Sequence, residues 1–253
     1  MKHAVHVLRR REEFGDLFLL NFAWDAPPPR AGQFLMVKPE RSGVFLARPL
    51  SVAFVGDGEI GFLVAKRGRG TEELARMLPG DRAELTGPMG KAWEELLPRP
   101  QSLAKPVALV GGGVGIAPLL ALQAENEREG KGFLFHIYAG FRTKPDLPFL
   151  EQGPESVTAT EDGSSGKPGR ITDHLEPGRY AAVCTCGPEA MMKAVADKCA
   201  GAGVPCLVSL ERRMACGVGA CLGCTVETAS GNRRCCADGP IFPAEEMYPD
   251  ERT

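Results

Sequence analysis

The cysteines carry the most chemistry in this chain. Nine occur in 253 residues, none before Cys184 and none after Cys236, and five of them (Cys216, Cys221, Cys224, Cys235 and Cys236) share one short stretch. An odd count, in a chain that opens without an apolar export segment, argues against a disulfide framework and for metal or redox chemistry. The spacing Cys216-x4-Cys221-x2-Cys224, with another cysteine downstream, is the plant-type [2Fe–2S] pattern. Two irons take four thiolates: a tight loop supplies three, and a separate turn brings the fourth. Gly217, Gly219 and Gly223 let such a loop curl and aim its amides at the sulfurs. Cys221-x2-Cys224 with Cys235 or Cys236 would also suit a tetrahedral zinc site. The x4 gap and the glycines favour iron–sulfur. Spacing alone leaves open which of the adjacent Cys235 and Cys236 is a ligand.

A second constellation, Gly111-Gly112-Gly113-Val114-Gly115-Ile116-Ala117-Pro118, follows an apolar run and opens a helical pattern. Glycine-rich strand-to-helix turns admit a pyrophosphate close to backbone amides, and Pro118 suits the first helical turn. By itself such a turn is weak evidence; its place in a strand–helix–strand series strengthens it. Cys186-Gly187-Pro188 ends a later strand, where open parallel sheets place their ligands, although a buried cysteine before a plain turn reads the same way. Arg48-Pro49-Leu50-Ser51 and Gly70-Thr71 offer a cation, a hydroxyl and a glycine–threonine helix start that would suit a flavin pyrophosphate and ring, although without context they read as surface and turn residues. Cys184, Cys199 and Cys206 read as packing residues, as do Trp24 and Trp93, and the four histidines form no ligand spacing.

The elements that position these residues fall into three regions. HAVHVL, LFLLNFAW, QFLMVKP, LSVAFV and EIGFLVAK are short apolar or alternating runs separated by turn residues, which predicts a small antiparallel barrel or sandwich with one helix starting at Thr71. Beyond the loop LPRPQSLAK, apolar runs (PVALVGGG, FLFHIYAG, SVTATED, YAAVCTCG) alternate with helical ones (GIAPLLALQAENEREG, ITDHLE, PEAMMKAVADKCAGAG). VPCLVSLE reads as the last strand, and the series predicts a parallel sheet. From about residue 210 periodicity fades into glycine and cysteine. The expected fold is therefore a β-barrel flavin domain (1–100), an α/β parallel-sheet nucleotide domain (101–209) and a small C-terminal [2Fe–2S] module (210–253). Thirty Lys and Arg against 32 Asp and Glu leave a net charge of −2, with no basic excess for a nucleic-acid backbone. No apolar run approaches the ~18 residues of a membrane span, so a cytoplasmic protein is expected.

Taken in order, ARPLSVA, GRGTEEL, GPMG, GGGVGIAPLL, GFRTK and TCGPEAMM resemble the ferredoxin–NADP reductase superfamily over residues 30–195. The tail, SLERRMACGVGACLGCTV followed by CCADGPIF, resembles the electron-transfer subunits of type B dihydroorotate dehydrogenases, and TEDGS at 160–164 fits them too. The resemblance spans nearly the whole chain. It implies FAD on Arg48, Pro49, Leu50 and Ser51, on Leu63, Val64 and Ala65, and on Gly70 and Thr71. NAD is implied at Gly113, Gly115, Pro118, Cys186 and Gly187. The implied cluster ligands are Cys216, Cys221, Cys224 and Cys236, because the fourth family cysteine precedes x-Asp-Gly-Pro, here Ala237-Asp238-Gly239-Pro240; Cys235 is then spare. Leu50 stands where the wider superfamily has a tyrosine against the flavin ring, and Ala65 where related subunits carry an arginine.

A nicotinamide exchanges two electrons as a hydride and a [2Fe–2S] cluster carries one, so a flavin between them is chemically required. The resemblance implies an FMN-containing catalytic partner that oxidises dihydroorotate in pyrimidine biosynthesis, assembled with this chain as a heterotetramer. No residue here reads as an orotate site. Alternatives are the small subunit of an NAD(P)H-dependent ferredoxin or sulfide oxidoreductase or of a soluble hydrogenase, and a non-enzymatic zinc-stabilised subunit. NAD and NADP stay open from the residues: Arg142 and Thr143 could meet a 2′-phosphate, yet no clear acidic residue ends that strand. The resemblance implies NAD.

Overall fold

The computed structural model describes residues 1–14, 16–100, 104–144 and 156–249; the expected boundary at 100/101 adjoins residues outside this set. Seven antiparallel strands form the first unit: β1 (Lys2–Phe14), β2 (Leu17–Ala23), β3 (Phe34–Pro39), β4 (Arg48–Ser51), β5 (Phe54–Gly56), β6 (Glu59–Ala65) and β7 (Arg82–Met89). Their order is β4-β3-β7-β1-β2-β6-β5, a curled sheet around Phe18, Phe22, Leu35, Ile60, Phe62 and Leu85. The run LSVAFV, expected as one strand, is broken in two. Val52 N–H bonds back to Gln33 O on the β3 side (3.3 Å), whereas Ala53 N–H bonds to Gly61 O on β6 (2.9 Å), so the chain crosses between sheet edges there. Strand β7 escaped the sequence pattern: its inward residues include the small Ala83 and Gly87, and Pro88 reads as a break.

Helix α1 spans Arg69–Ala75 and begins two residues before the expected Thr71. Thr71 instead folds its hydroxyl back over the turn, accepting Arg67 N–H (2.8 Å) and donating to Gly68 O (3.0 Å).

The second unit contains the strands β8 (Val107–Gly112), β9 (Phe135–Phe141), β10 (Val157–Thr160), β11 (Lys167–Pro168), β12 (Ala182–Cys186) and β13 (Cys206–Ser209), all parallel to one another, with helices α2 (Ala117–Glu129) and α3 (Glu189–Ala202). Every residue of β8, β12 and β13 is buried, as expected of a sheet covered on both faces. The helix expected over ITDHLE is only a 3-10 turn at Ile171–His174. The last part holds a hairpin, β14 (Thr225–Thr228) with β15 (Gly231–Arg234), a short helix α4 (Cys235–Asp238), strand β16 (Ile241–Pro243) and α5 (Ala244–Met247). β16 pairs antiparallel with β13, giving the order β11-β10-β9-β8-β12-β13-β16. The edge strand of the nucleotide sheet thus comes from residues expected to form the third module.

Charged groups join the first two units. Glu125 of α2, 4 % exposed, accepts Ala31 N–H (2.6 Å) and pairs with Lys131 (2.5 Å). Lys131 also meets Glu129 (3.1 Å) and Glu94, and Glu94 in turn pairs with Arg30. Buried charges are tolerable only when paired this fully. Among the described residues no helix is long and apolar enough to cross a membrane.

Candidate functional site

The loop from Cys216 to Cys224 lies against the barrel. A β-carbon on Gly217 would come within 2.5 Å of Met89 Sδ and 3.0 Å of Met36 Cγ, so only glycine permits this approach. Each of four sulfurs accepts a backbone N–H: Cys216 from Cys221 (3.4 Å), Cys221 from Gly223 (3.4 Å), Cys224 from Cys236 (3.4 Å) and Cys236 from Gly219 (3.1 Å). Two of these contacts come from the amides of other cysteines in the set, Cys221 N–H to Cys216 Sγ and Cys236 N–H to Cys224 Sγ. Amides of Cys221 and Val218 lower the Cys216 thiol to about 6, whereas burial, followed by the neighbouring Cys224, pushes Cys236 up to about 12. Cys235 points elsewhere: fully buried, it donates to Leu210 O at 3.6 Å. Among the described residues no three His, Cys, Asp or Glu side chains gather to seat a single ion. Amide N–H groups aimed at sulfur stabilise thiolates, which suits a cluster held on four cysteines. Arg234 braces the turn that carries Cys236, giving Asp238 a backbone bond of 2.7 Å and guanidinium bonds of 3.0 and 3.1 Å.

The flavin-type stretches face each other across a break in the barrel. β6 pairs with β2 along its whole length but with β5 only from Glu59 to Gly61, and β4 pairs only with β3. Beyond Gly61 no ladder joins β6 to β4, and this gap is flanked by Arg48–Ser51 on one side and Leu63–Ala65 on the other. Side-chain alternation sends Val64 into the barrel core, so it can offer a ligand only backbone, while Leu63 and Ala65 join the core shared with the second unit. Leu50 packs partly against the barrel core. Arg48 lies over Gly70, where a β-carbon would meet its Nε at 2.0 Å, and it donates to Leu46 O (3.0 Å). Among the described residues no ladder pairs β4 with β6, and these two strands with the Arg48 guanidinium beside Gly70 would suit a flavin and its pyrophosphate.

Between the two units opens a cleft of about 950 Å³, walled by Ala65 and Arg67 on one side and by Gly113, Arg142, Gly187 and Glu211 on the other. Of the expected nucleotide residues, Gly113 and Gly187 line it. Gly115 lies beneath, where a β-carbon would meet Cys186 O at 2.4 Å and Gly187 Cα at 2.6 Å, so the glycine turn and the end of β12 pack backbone against backbone. Pro118 is buried in the second residue of α2. Cys186 is buried, and burial, with Glu211 adding to it, raises its thiol well above the ordinary range, so it is neutral. Ala65 is the one expected flavin residue on the wall of this cleft. Sequence reasoning missed Glu211. Its signal was a carboxylate placed two residues beyond the last parallel strand, at the ligand end of the sheet.

Comparison with known proteins agrees with this geometry. Residues 211–248 match the family model of the iron–sulfur cluster binding domain of dihydroorotate dehydrogenase B. The dihydroorotate dehydrogenase B (NAD(+)) electron transfer subunit of Clostridium perfringens is 39% identical over 86% of this chain and 86% of its own length. That of Caldanaerobacter subterraneus subsp. tengcongensis is 38% identical over 97% of this chain and 98% of its own. Among solved structures, a chain of the NADH-dependent reduced ferredoxin–NADP oxidoreductase superposes with a TM-score of 0.80 at 28% identity, covering 98% of this chain and 90% of that one. A ferredoxin NADP+ reductase from Neisseria gonorrhoeae shares the fold, with a TM-score of 0.65 at 18% identity over 85% of this chain and 95% of that one. With its barrel, nucleotide sheet and cysteine loop in this order, the chain belongs to the electron transfer subunits of dihydroorotate dehydrogenase B, oxidoreductases of ferredoxin–NADP reductase fold.

Proposed function

We propose that this chain carries electrons from a partner that oxidises dihydroorotate to NAD+, through a [2Fe–2S] cluster on Cys216, Cys221, Cys224 and Cys236 and an FAD in the barrel gap. The observation that carries this reading is adjacency in one line. Gly217 of the cysteine loop packs on Met36, and Met36 is the strand partner of Pro49 at the flavin gap. The other side of that gap, Ala65, opens into the cleft that holds Gly113 and Gly187. A flavin seated in the middle exchanges two electrons with a nicotinamide and one at a time with a cluster.

The protein's own residues do the holding. Arg48 over Gly70 would bind the flavin pyrophosphate, with Pro49, Leu50, Ser51, Leu63, Ala65, Thr71 and the Val64 backbone along the gap. Gly113, Gly115 and Pro118 would shape the nicotinamide pyrophosphate turn, and Cys186 and Gly187 would floor the nicotinamide end. The barrel takes residues 1–100, the nucleotide unit 101–209, and the cluster module 210–253, with β16 returned to the nucleotide sheet. The oxidation of dihydroorotate is assigned in this reading to an FMN-containing catalytic subunit, joined with this chain as a heterotetramer in the cytoplasm. Exposed Val218 and Leu222 beside the exposed Cys221 support a partner at the cluster end.

The test is anaerobic purification with the catalytic partner, followed by a visible spectrum and assays of flavin, iron, sulfide and zinc. One FAD, two irons and two sulfides per chain, with bleaching on addition of NADH, are expected. Zinc without flavin would refute the reading.

A further inference from the structure

One turn of the barrel touches both stretches of chain that carry the four cysteines. Met89, the last residue of β7, packs on the loop that holds Cys216, Cys221 and Cys224: a β-carbon on Gly217 would come within 2.5 Å of its Sδ. The next two residues meet the chain that leaves Cys236. Lys91 N–H donates to Gly239 O at 2.7 Å. A β-carbon on Gly90 would sit 2.7 Å from Pro240 Cδ and 3.1 Å from Gly239 O. Pro240 is gripped from its other side too, because its carbonyl accepts Leu210 N–H (2.9 Å) just before β16 begins. The same turn also reaches toward the flavin-type residues. Met89 is the strand partner of Phe34 in β3, and Phe34 is the partner of Ser51 in β4. Gln33 gives its side-chain amide to Gly90 O (3.1 Å) and its own carbonyl to Val52 N–H (3.3 Å). Phe34 and Met36 share one buried core with Cys224 and Cys236.

Electron transfer between two centres depends steeply on their separation and on how tightly the atoms between them are packed. We propose that Met89, Gly90 and Lys91 are positioning residues that fix the distance between the cluster and the flavin, and so set the rate at which electrons pass between them. This inference rests on reading the cysteine loop as the cluster site and the gap beside β4 as the flavin site. Gly90 is its most sensitive point. Its φ is +79°, and its Cα faces Pro240 with no room for a side chain. Carbon atoms pack without strain at about 3.5 Å or more, so alanine there would drive the turn and Pro240 apart by roughly 1 Å. A misplacement of about that size can cost a reacting pair roughly a hundredfold in rate.

The experiment compares wild type, Gly90→Ala, Met89→Ala and Gly80→Ala as the cofactor-loaded complex with the catalytic partner. Gly80 has φ +92° and open space around it, so Gly80→Ala carries a similar backbone strain without touching the cysteine module. Each protein is mixed anaerobically with NADH, and the flavin and cluster absorbance bands are followed separately. Flavin and iron content are assayed, and EPR reads the magnetic coupling between the reduced cluster and a flavin radical. Gly90→Ala should keep its iron and flavin and bleach its flavin at the wild-type rate. Its cluster should bleach at least about tenfold more slowly, with weaker magnetic coupling. Gly80→Ala should match wild type throughout. Unchanged cluster bleaching and coupling in Gly90→Ala, or equal slowing in Gly80→Ala, overturns the proposal. If Gly90→Ala fails to load iron, Met89→Ala decides: slower cluster bleaching at full iron content supports the positioning role, and an unchanged rate overturns it. Loss of iron in both variants makes the turn a structural prop and also overturns it. A wild type without iron or flavin, or whose cluster NADH does not reduce, removes the proposed function itself, and this inference with it.

Discussion

Gly113 and Gly115 occupy one turn and should fail in opposite ways when changed to alanine. A β-carbon on Gly115 would sit 2.4 Å from Cys186 O and 2.6 Å from Gly187 Cα. Unstrained contacts of this kind lie near 3.5 Å, so the turn and the end of β12 would have to part by roughly 1 Å. Overpacking costs about 1–3 kcal/mol, and because backbone rather than a pliable side chain must yield, Gly115→Ala belongs near the top, about 3 kcal/mol. For a chain of this length that lowers the melting temperature by roughly 6–12 °C. Gly113 has φ +54° and open space around its Cα. Alanine there costs about 1 kcal/mol for its left-handed backbone, or roughly 2–4 °C. Its methyl, however, would project at the wall of the cleft and should weaken NADH at least about tenfold. Thermal melts followed by circular dichroism and anaerobic NADH titrations separate the two effects. A Gly115→Ala protein that melts with wild type would refute the backbone packing, and a Gly113→Ala protein that binds NADH normally would refute the cleft assignment.

Cys235→Ala should retain full iron and sulfide and Cys236→Ala should lose both; metal analysis showing the reverse would overturn the ligand assignment. Gly70→Ala should displace the Arg48 guanidinium that lies over it, leaving the fold intact but lowering the FAD content read from flavin absorbance. Lys131→Met leaves Glu125 buried without its main counter-charge and should destabilise the chain by about 3 kcal/mol in urea unfolding. Arg234 holds the Asp238 carboxyl down to about 2 from an ordinary 3.8. A depressed acid stabilises the folded state above its unfolded pKa and loses that contribution as pH falls through its folded pKa. Stability measured between about pH 4 and pH 2 should therefore fall in wild type, and less steeply in Asp238→Asn.

The sequence made legible those features that rest on residue type at fixed spacing. Cys216, Cys221 and Cys224 announce their loop because no other residue substitutes for a thiolate, and the fully apolar VALV and AVC of β8 and β12 read directly as buried parallel strands. What stayed hidden depends on partners distant in the chain. Strand β7 is held by β1 and β3 on either side, and its own small inward residues barely signal it. The break of LSVAFV follows from which strand each amide meets. The helix start moved because Thr71 bonds back to Arg67 and Gly68 instead of capping. Family resemblance preferred Cys236 over Cys235; in the structure it is Gly219 N–H that meets Cys236 and Leu210 O that meets Cys235, contacts that spacing does not encode.

The pairing of β16 with β13 makes the cysteine segment an insertion and not a tail. The chain leaves the nucleotide sheet after Ser209 and rejoins it at Ile241, the residue paired with Ser209 itself, so both ends of the detour start about 5 Å apart. Removing everything after residue 210 would strip the last strand from the sheet and leave the β13 edge bare, a surface that recruits other chains. Excising residues 215–239 and closing the gap with a short linker would instead keep that edge covered. During synthesis the same edge stays open until residues 241–243 have emerged. Completion of the nucleotide-binding half therefore waits on a segment encoded beyond the cluster ligands, which ties the two maturation events to one another in time.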